Sequence, residues 1–218
     1  MYTLTINIDS QGRQFLLDNN ETIVLVSPQD IDYNYSVACV SFSPFGNSNT
    51  VVFNNTWIEY ASSQNIQFNE VILMGMTENA SKGNIYIFNG ISIIQGGAAY
   101  SNEVYGLSNK GADIDNLTCG LGQLITINSD EAQNCPLSVY STPYNQTTYF
   151  QATTKIWIFV ASGIEAGMII ATQMLTPIGS TQFENGVSGA LTVGDYLEID
   201  LTENPTVSFD ATINAFKL

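Results

Sequence analysis

The chain has 218 residues, 44% hydrophobic and only 11% charged, with twenty Asp and Glu against five Lys and Arg and a net charge of −15. So few cations exclude nucleic-acid binding, whose affinity comes from Lys and Arg on phosphates, and disfavour docking on anionic lipid. The sequence has no histidine, which removes Ser–His–Asp and Cys–His nucleophiles and histidine-based metal sites; the apolar content suffices for a core without a cofactor or a staple.

At the start, Tyr2, Leu4, Ile6 and Ile8 alternate with Thr3, Thr5, Asn7 and Asp9. Period two with one wet face predicts an antiparallel strand. The same stretch lacks a basic start and an apolar centre, so it is not a signal peptide; the expected location is the cytoplasm, or the exterior by a non-classical route, unless a leader has been removed. No run of about 18 apolar residues exists, so no transmembrane helix is expected.

Short β-branched runs follow at 21–28 (ETIVLVSP), 35–44 (YSVACVSFSP) and 69–76 (NEVILMGM), each bounded by turn residues. Cys39 inside the second reads as a small buried hydrophobe. Asp30, Asp32 and Asn34 cluster oxygen donors, as do Asp113, Asp115 and Asn116. The EF-hand pattern fails, because Tyr35 stands where Gly is needed and Ser41 where Glu is needed; solvated turns are the expected reading, and no metal is assigned.

Residues 49–64, NTVVFNNTWIEYASSQ, hold one of the two tryptophans. On a strand, Trp57 and Glu59 share one face, and Ile58 and Tyr60 the other. A ring face that meets sugar C–H groups, beside an acid that accepts hydroxyl hydrogen bonds, is a workable sugar site. Asn54, Trp57 and Glu59 are its candidate ligand-binding residues. The competing reading places Trp57 in the core, where large aromatics dominate burial.

Within 83–97, Asn89-Gly90 between two apolar runs predicts a two-residue type I′ hairpin. Residues 98–121 are rich in glycine and short of apolar residues in register, which reads as a linker or crossover. LITINSD (124–130) and KIWIFVAS (155–162) are further strands, and Asn185-Gly186 marks another turn. Cys119 and Cys135 flank an expected hairpin and either pair or stay free; three cysteines in all argue against a disulfide framework. No amphipathic helix of useful length is expected.

An offset of about 118 residues aligns Val51-Val52 with Ile169-Ile170, Ser62 with Ser180 and Gln64 with Gln182, and sets Val37–Ser43 on Lys155–Ala161. The shared order suggests a duplicated sandwich unit. The second copy has Met174 and Leu175 where the first has Thr56 and Trp57, so the residues that differ are the better functional candidates.

Near the end, Glu198-Ile-Asp200-x-x-Glu203 resembles the catalytic strand of laminarinase-like glycoside hydrolases, where alternation and a bulge aim carboxylates into one cleft as acid and nucleophile. The likeness covers six residues. Only fifteen follow Glu203, too few for the strands that family builds after its motif. Alternation alone puts Glu198 and Asp200 on a wet strand face. In the last strand, Val207, Phe209, Ala211, Ile213 and Ala215 face one way.

These features predict an all-β protein, an antiparallel β-sandwich in two tandem lobes related by internal duplication: residues 1–97, a linker or crossover over 98–121, and residues 122–218. The expected function is a non-enzymatic, lectin-like binding module for glycans. The alternatives are a self-assembling structural or storage protein that forms homo-oligomers without a ligand, and a toxin-like membrane-active sandwich, which the acidity disfavours.

Overall fold

The alternation at the start builds strand β1 (Tyr2–Asn7), whose Leu4 and Ile6 are fully buried. In the computed structural model, which describes residues 1–29, 34–172, 175, 177 and 195–218, β1 is one of seventeen strands arranged in three sheets. The eight-stranded sheet runs β10 (Gln133–Pro136), β9 (Asn116–Ile127), β4 (Ser48–Ser62), β1, β16 (Thr206–Asp210), β17 (Ala215–Lys217), with β11 (Tyr140–Pro143) also on β9 and β5 (Met76–Ala80) also on β4. The four-stranded sheet runs β12 (Thr147–Phe150), β8 (Tyr105–Asn109), β6 (Asn84–Phe88), β7 (Ile93–Ala98). The five-stranded sheet runs β14 (Ile169–Ala171), β3 (Tyr35–Phe42), β2 (Thr22–Ser27), β13 (Lys155–Ala161), β15 (Leu197–Asp200). Apart from β1–β16 and β6–β8, which are parallel, the described ladders are antiparallel. The fold is all-β and sandwich-like, as the alternation predicts.

Two main cores share the long strands β4 and β9. In the first, Leu4, Val51, Phe53, Ile125 and Val207 of the eight-stranded sheet meet Ile23, Leu25, Ile156, Ile158 and Ile199 of the five-stranded sheet. In the second, Ala61, Leu117, Cys119 and Leu121 meet Tyr86, Phe88, Tyr105 and Leu107 of the four-stranded sheet. Each core draws on both halves of the chain. The stretch 98–121, read from sequence as a linker or crossover, contains β8, buried along its length, and the first half of β9, which continues unbroken past residue 121. Within it Gly106 lies against the Tyr149 ring and Gly120 against the Ser138 carbonyl. Val51 and Val52 sit mid-sheet in β4, whereas Ile169 and Ile170 sit on the edge strand β14; Ser180, Gln182, Met174 and the Asn185-Gly186 turn lie outside the described residues.

Several local expectations give way to specific hydrogen bonds. A helix, α1 (Ser10–Asp18), forms after all. Asp9 caps it, its carboxylate accepting from the Gly12 N–H at 2.6 Å, and Gly12 lets it approach the sheet where a Cβ would crowd Ile8 and Phe209. The hairpin after β6 has a four-residue connection, not a two-residue type I′ turn. The Asn89 Oδ1 accepts from the N–H groups of Ile91 and Ser92, and only Gly90 takes a positive φ, +97°. The last strand is split into β16 and β17, because Asp210 accepts from the Thr212 N–H and hydroxyl and Asn214 turns left-handed at φ 50°; Ile213 is left exposed. In 69–76 only an isolated bridge forms, between Val71 and Met168, and the polar segment Met76–Ala80 is the strand. All three cysteines are free, since β9 pairs Cys119 with Tyr140 and Cys135 with Gln123 rather than with each other. Among the described residues no helix is long and apolar enough to cross a membrane.

The shared ladder is held by a buried close contact on its face toward the five-stranded sheet. Residues 136–139 cross directly over β9. Leu121 accepts from the N–H groups of Leu137 and Ser138, and its own N–H donates to the Ser138 Oγ at 3.0 Å. The buried Tyr60 hydroxyl donates to the Ser138 carbonyl at 2.7 Å. A Cβ on Gly120 would overlap that same carbonyl, so the crossing requires glycine there. Gly120→Ala is expected to cost about 2–3 kcal/mol or to prevent folding. Gly97→Ala, where a Cβ meets nothing within 4 Å, is the control and should stay near neutral. Equal thermal midpoints for the two variants would rule out this crossing as a constraint.

Candidate functional site

β13 and β15 pair so that Trp157 stands opposite Glu198 and Lys155 opposite Asp200. Along β13, Ile156, Ile158 and Val160 go into the first core, which leaves Lys155 and Trp157 on the other face. Glu198 and Asp200 are exposed, while Ile199 between them is buried. On this face Lys155 Nζ reaches Glu198 Oε1 at 2.8 Å, and the Trp157 indole N–H donates to Glu198 Oε2 at 3.0 Å. Those two bonds, Lys155 first, hold the Glu198 carboxyl below its ordinary pKa. Tyr196 stacks on Trp157 with ring centroids 4.5 Å apart, which fixes the indole plane.

Trp57 reaches the same place from the other sheet. It follows the register shift between Phe53 and Trp57, where β4 loosens from β9, and it packs against both main cores while staying partly exposed. A cleft of about 560 Å³ is lined by both tryptophans, with Gln29 after β2, Tyr140, Gln151, Lys155 and Glu198 around them. The Gln29 amide N and O are both shielded from solvent and, among the described residues, unpartnered. Atoms shielded from solvent are out of a ligand's reach as well, so the amide that the cleft offers is that of Gln151, which is exposed. The volume suits a small organic ligand.

The three residues expected from sequence separate. Trp57 lines the cleft. Asn54 does not: its backbone carbonyl accepts from the Gln123 side-chain amide at 2.8 Å and its Oδ1 accepts from the Thr56 N–H, so it shapes the turn before Trp57. Glu59 shares the strand face with Trp57 but is fully buried behind it, between β4 and the four-stranded sheet, and both of its carboxylate oxygens lack a partner. Burial pushes its pKa up to about 9; the Gly106 amide pulls the value partway back without making a formed hydrogen bond. Glu59 is therefore neutral at pH 7, and the carboxylate beside the tryptophans is Glu198.

Trp157, Glu198, Lys155 and Gln29 were not singled out together by sequence. The available signal was that the chain has just two tryptophans, both on strands with period two. Asp30 and Asp32, suggested as oxygen donors, lie outside the described residues, and among the described residues no three His, Cys, Asp or Glu side chains gather as metal ligands. Burial raises all three thiols, Cys119 to about 12 and Cys135 to about 11, so none is a thiolate at neutral pH.

Glu59 makes stability depend on pH in a definite direction. The folded state keeps its proton up to pH about 9, whereas the unfolded chain loses it near 4.5. Unfolding thus releases a proton in that window, and stability falls as pH rises, by about 1.4 kcal/mol per unit from this group. Glu59→Gln should remove that slope and gain stability at pH 8. Urea unfolding of both proteins at pH 5, 7 and 9 tests it; parallel profiles would contradict it. No family model, curated protein or solved structure matches this chain.

Proposed function

We propose that this protein is a non-enzymatic, lectin-like carbohydrate-binding module whose ligand seats in the cleft between Trp57 and Trp157. The observation that carries the reading is the meeting of both tryptophans of the chain in one cleft with the exposed Gln151 amide and an ionised carboxylate. A sugar ring offers an apolar C–H face to an indole and hydroxyls to its rim. Indoles give large, rigid apolar contact, and the Gln151 amide supplies both a donor and an acceptor. Glu198 is held ionised by Lys155 and Trp157, which suits it to accept hydroxyl hydrogen bonds rather than to donate a proton to a leaving group. Because the protein has no tryptophan elsewhere, its indole fluorescence reports on the cleft alone.

The test is a glycan-array screen followed by fluorescence titration of the hits. Trp57→Ala and Trp157→Ala should each weaken binding by about tenfold or more while the circular dichroism spectrum stays native. Binding that survives in both folded variants would refute the site. A blank array with well-folded protein would refute the function.

One observation favours a second reading, self-assembly. β7 is the last strand on its side of the four-stranded sheet, and residues 91–101 contain no charge. Ile91 is 84% exposed and Tyr100 72%. Sheet edges are normally blunted by charge or proline, and this one offers free backbone groups beside apolar side chains. Light scattering against concentration tests it. Growth in size that Gln95→Lys suppresses would support assembly through this edge, and a constant monomer mass would exclude it.

A further inference from the structure

We infer that the ligand is a linear, uncharged oligosaccharide that runs through two adjoining clefts, with Trp57 at their junction. The inference rests on the carbohydrate reading above and adds its length and charge class.

A second cleft, of about 320 Å³, abuts the first. The two share Trp57, Ala152 and Thr153, so Trp57 walls both. Beyond it the second cleft is bordered by Asn55, Gln123 and Thr154. Each cleft alone lies within the range that encloses one small molecule. A ligand with a single ring would fill one and leave the other to water. A chain of rings in extended linkage would use the indole of Trp57 where it passes from one cleft to the next. Gln123 has a part in this: its side-chain amide, 97% buried, holds the Asn54 carbonyl and thereby fixes the turn that presents Asn55 to the second cleft.

Charge selects the class. Three cations border the clefts, Lys155 in the first and Lys82 and the Met1 amino group in the second. Both lysines are committed, Lys155 to Glu198 at 2.8 Å and Lys82 to Glu103 at 3.1 Å. A carboxylated or sulfated sugar would find no spare lysine, only the Met1 amino group at the far cleft, and would approach a protein of net charge −15. Unpaired charge moved into a cleft is costly, and the overall field slows encounter. The groups that remain, the amides of Gln151 and Asn55 and the hydroxyl of Thr153, match neutral hydroxyls.

The full-length protein is titrated, by indole fluorescence and calorimetry, with neutral glucan, mannan, xylan, galactan and chitin fragments from single sugars to hexamers, and with sialylated and sulfated chains. Affinity for the best series should rise by about tenfold or more from the single sugar to the tri- or tetramer and then level off, once both clefts are filled. Asn55→Ala, on an exposed residue of the second cleft, should lower affinity for the longer chains several-fold and leave the single sugar unchanged. Single sugars that bind as tightly as their oligomers would overturn the two-cleft inference and leave the carbohydrate reading standing. Tighter binding of sialylated or sulfated chains would overturn the charge class. No binding by any probe, with native thermal unfolding, would overturn the carbohydrate reading and the inference with it.

Discussion

The β4–β9 ladder carries the rest of the molecule. β4 pairs with β9 from Val51 to Ser62, and on its other edge with β1 and then β5. One end of the ladder packs into the first core and the other into the second. Two sheets thus lean on one pair of strands. The ladder can be shared because β9 has glycine at Gly120 and Gly122, where the 136–139 crossing lies against the strand. With any side chain at Gly120 the crossing would lift away, and Leu121, Tyr60 and Ser138 would lose their bonds together. Polar groups buried there have no water to replace them.

A shared ladder also creates a junction, and Trp57 occupies it. The register shift just before it frees β4 from strict pairing, so the indole can pack on both cores and still face outward. Two positions further along, the same strand face is sealed by the four-stranded sheet, and Glu59 is buried there without a partner. A buried, unpaired carboxyl is destabilising unless it keeps its proton. On one strand face, then, a distance of two residues separates a cleft-lining side chain from a core one.

Charge is used sparingly around the cleft. The chain has five cations, and of these Lys82, Lys155 and Lys217 form ion pairs in the described residues. The Lys155–Glu198 pair lies on the surface and contributes little stability by itself. Its effect is local: it keeps Glu198 ionised and, with Tyr196, holds the Trp157 ring in place.

The sequence by itself determined the class of fold and the facing of its first and last long strands. Alternation in β1 and β16 sent Leu4, Ile6, Val207 and Phe209 inward, because a strand's side-chain period is a local property. It also made Glu198 and Asp200 outward-facing. Side-chain bonds over a few residues decided what propensity misjudged: the Asp9 cap that starts α1, the Asn89 carbonyl that lengthens a turn, and the Asp210 turn that ends β16. Only tertiary structure decided the rest. The glycines of 98–121 read as a linker or crossover because the groups they pack against, Tyr149 at Gly106 and the Ser138 carbonyl at Gly120, are distant in sequence. The cleft was hidden for the same reason. Trp57 and Trp157 are a hundred residues apart, and what brings them together is the packing of two sheets, a fact of burial and not of spacing. Trp57 and Glu59 look equivalent on a strand, and whether a face meets water or another sheet is settled by the partner sheet, which no local pattern records.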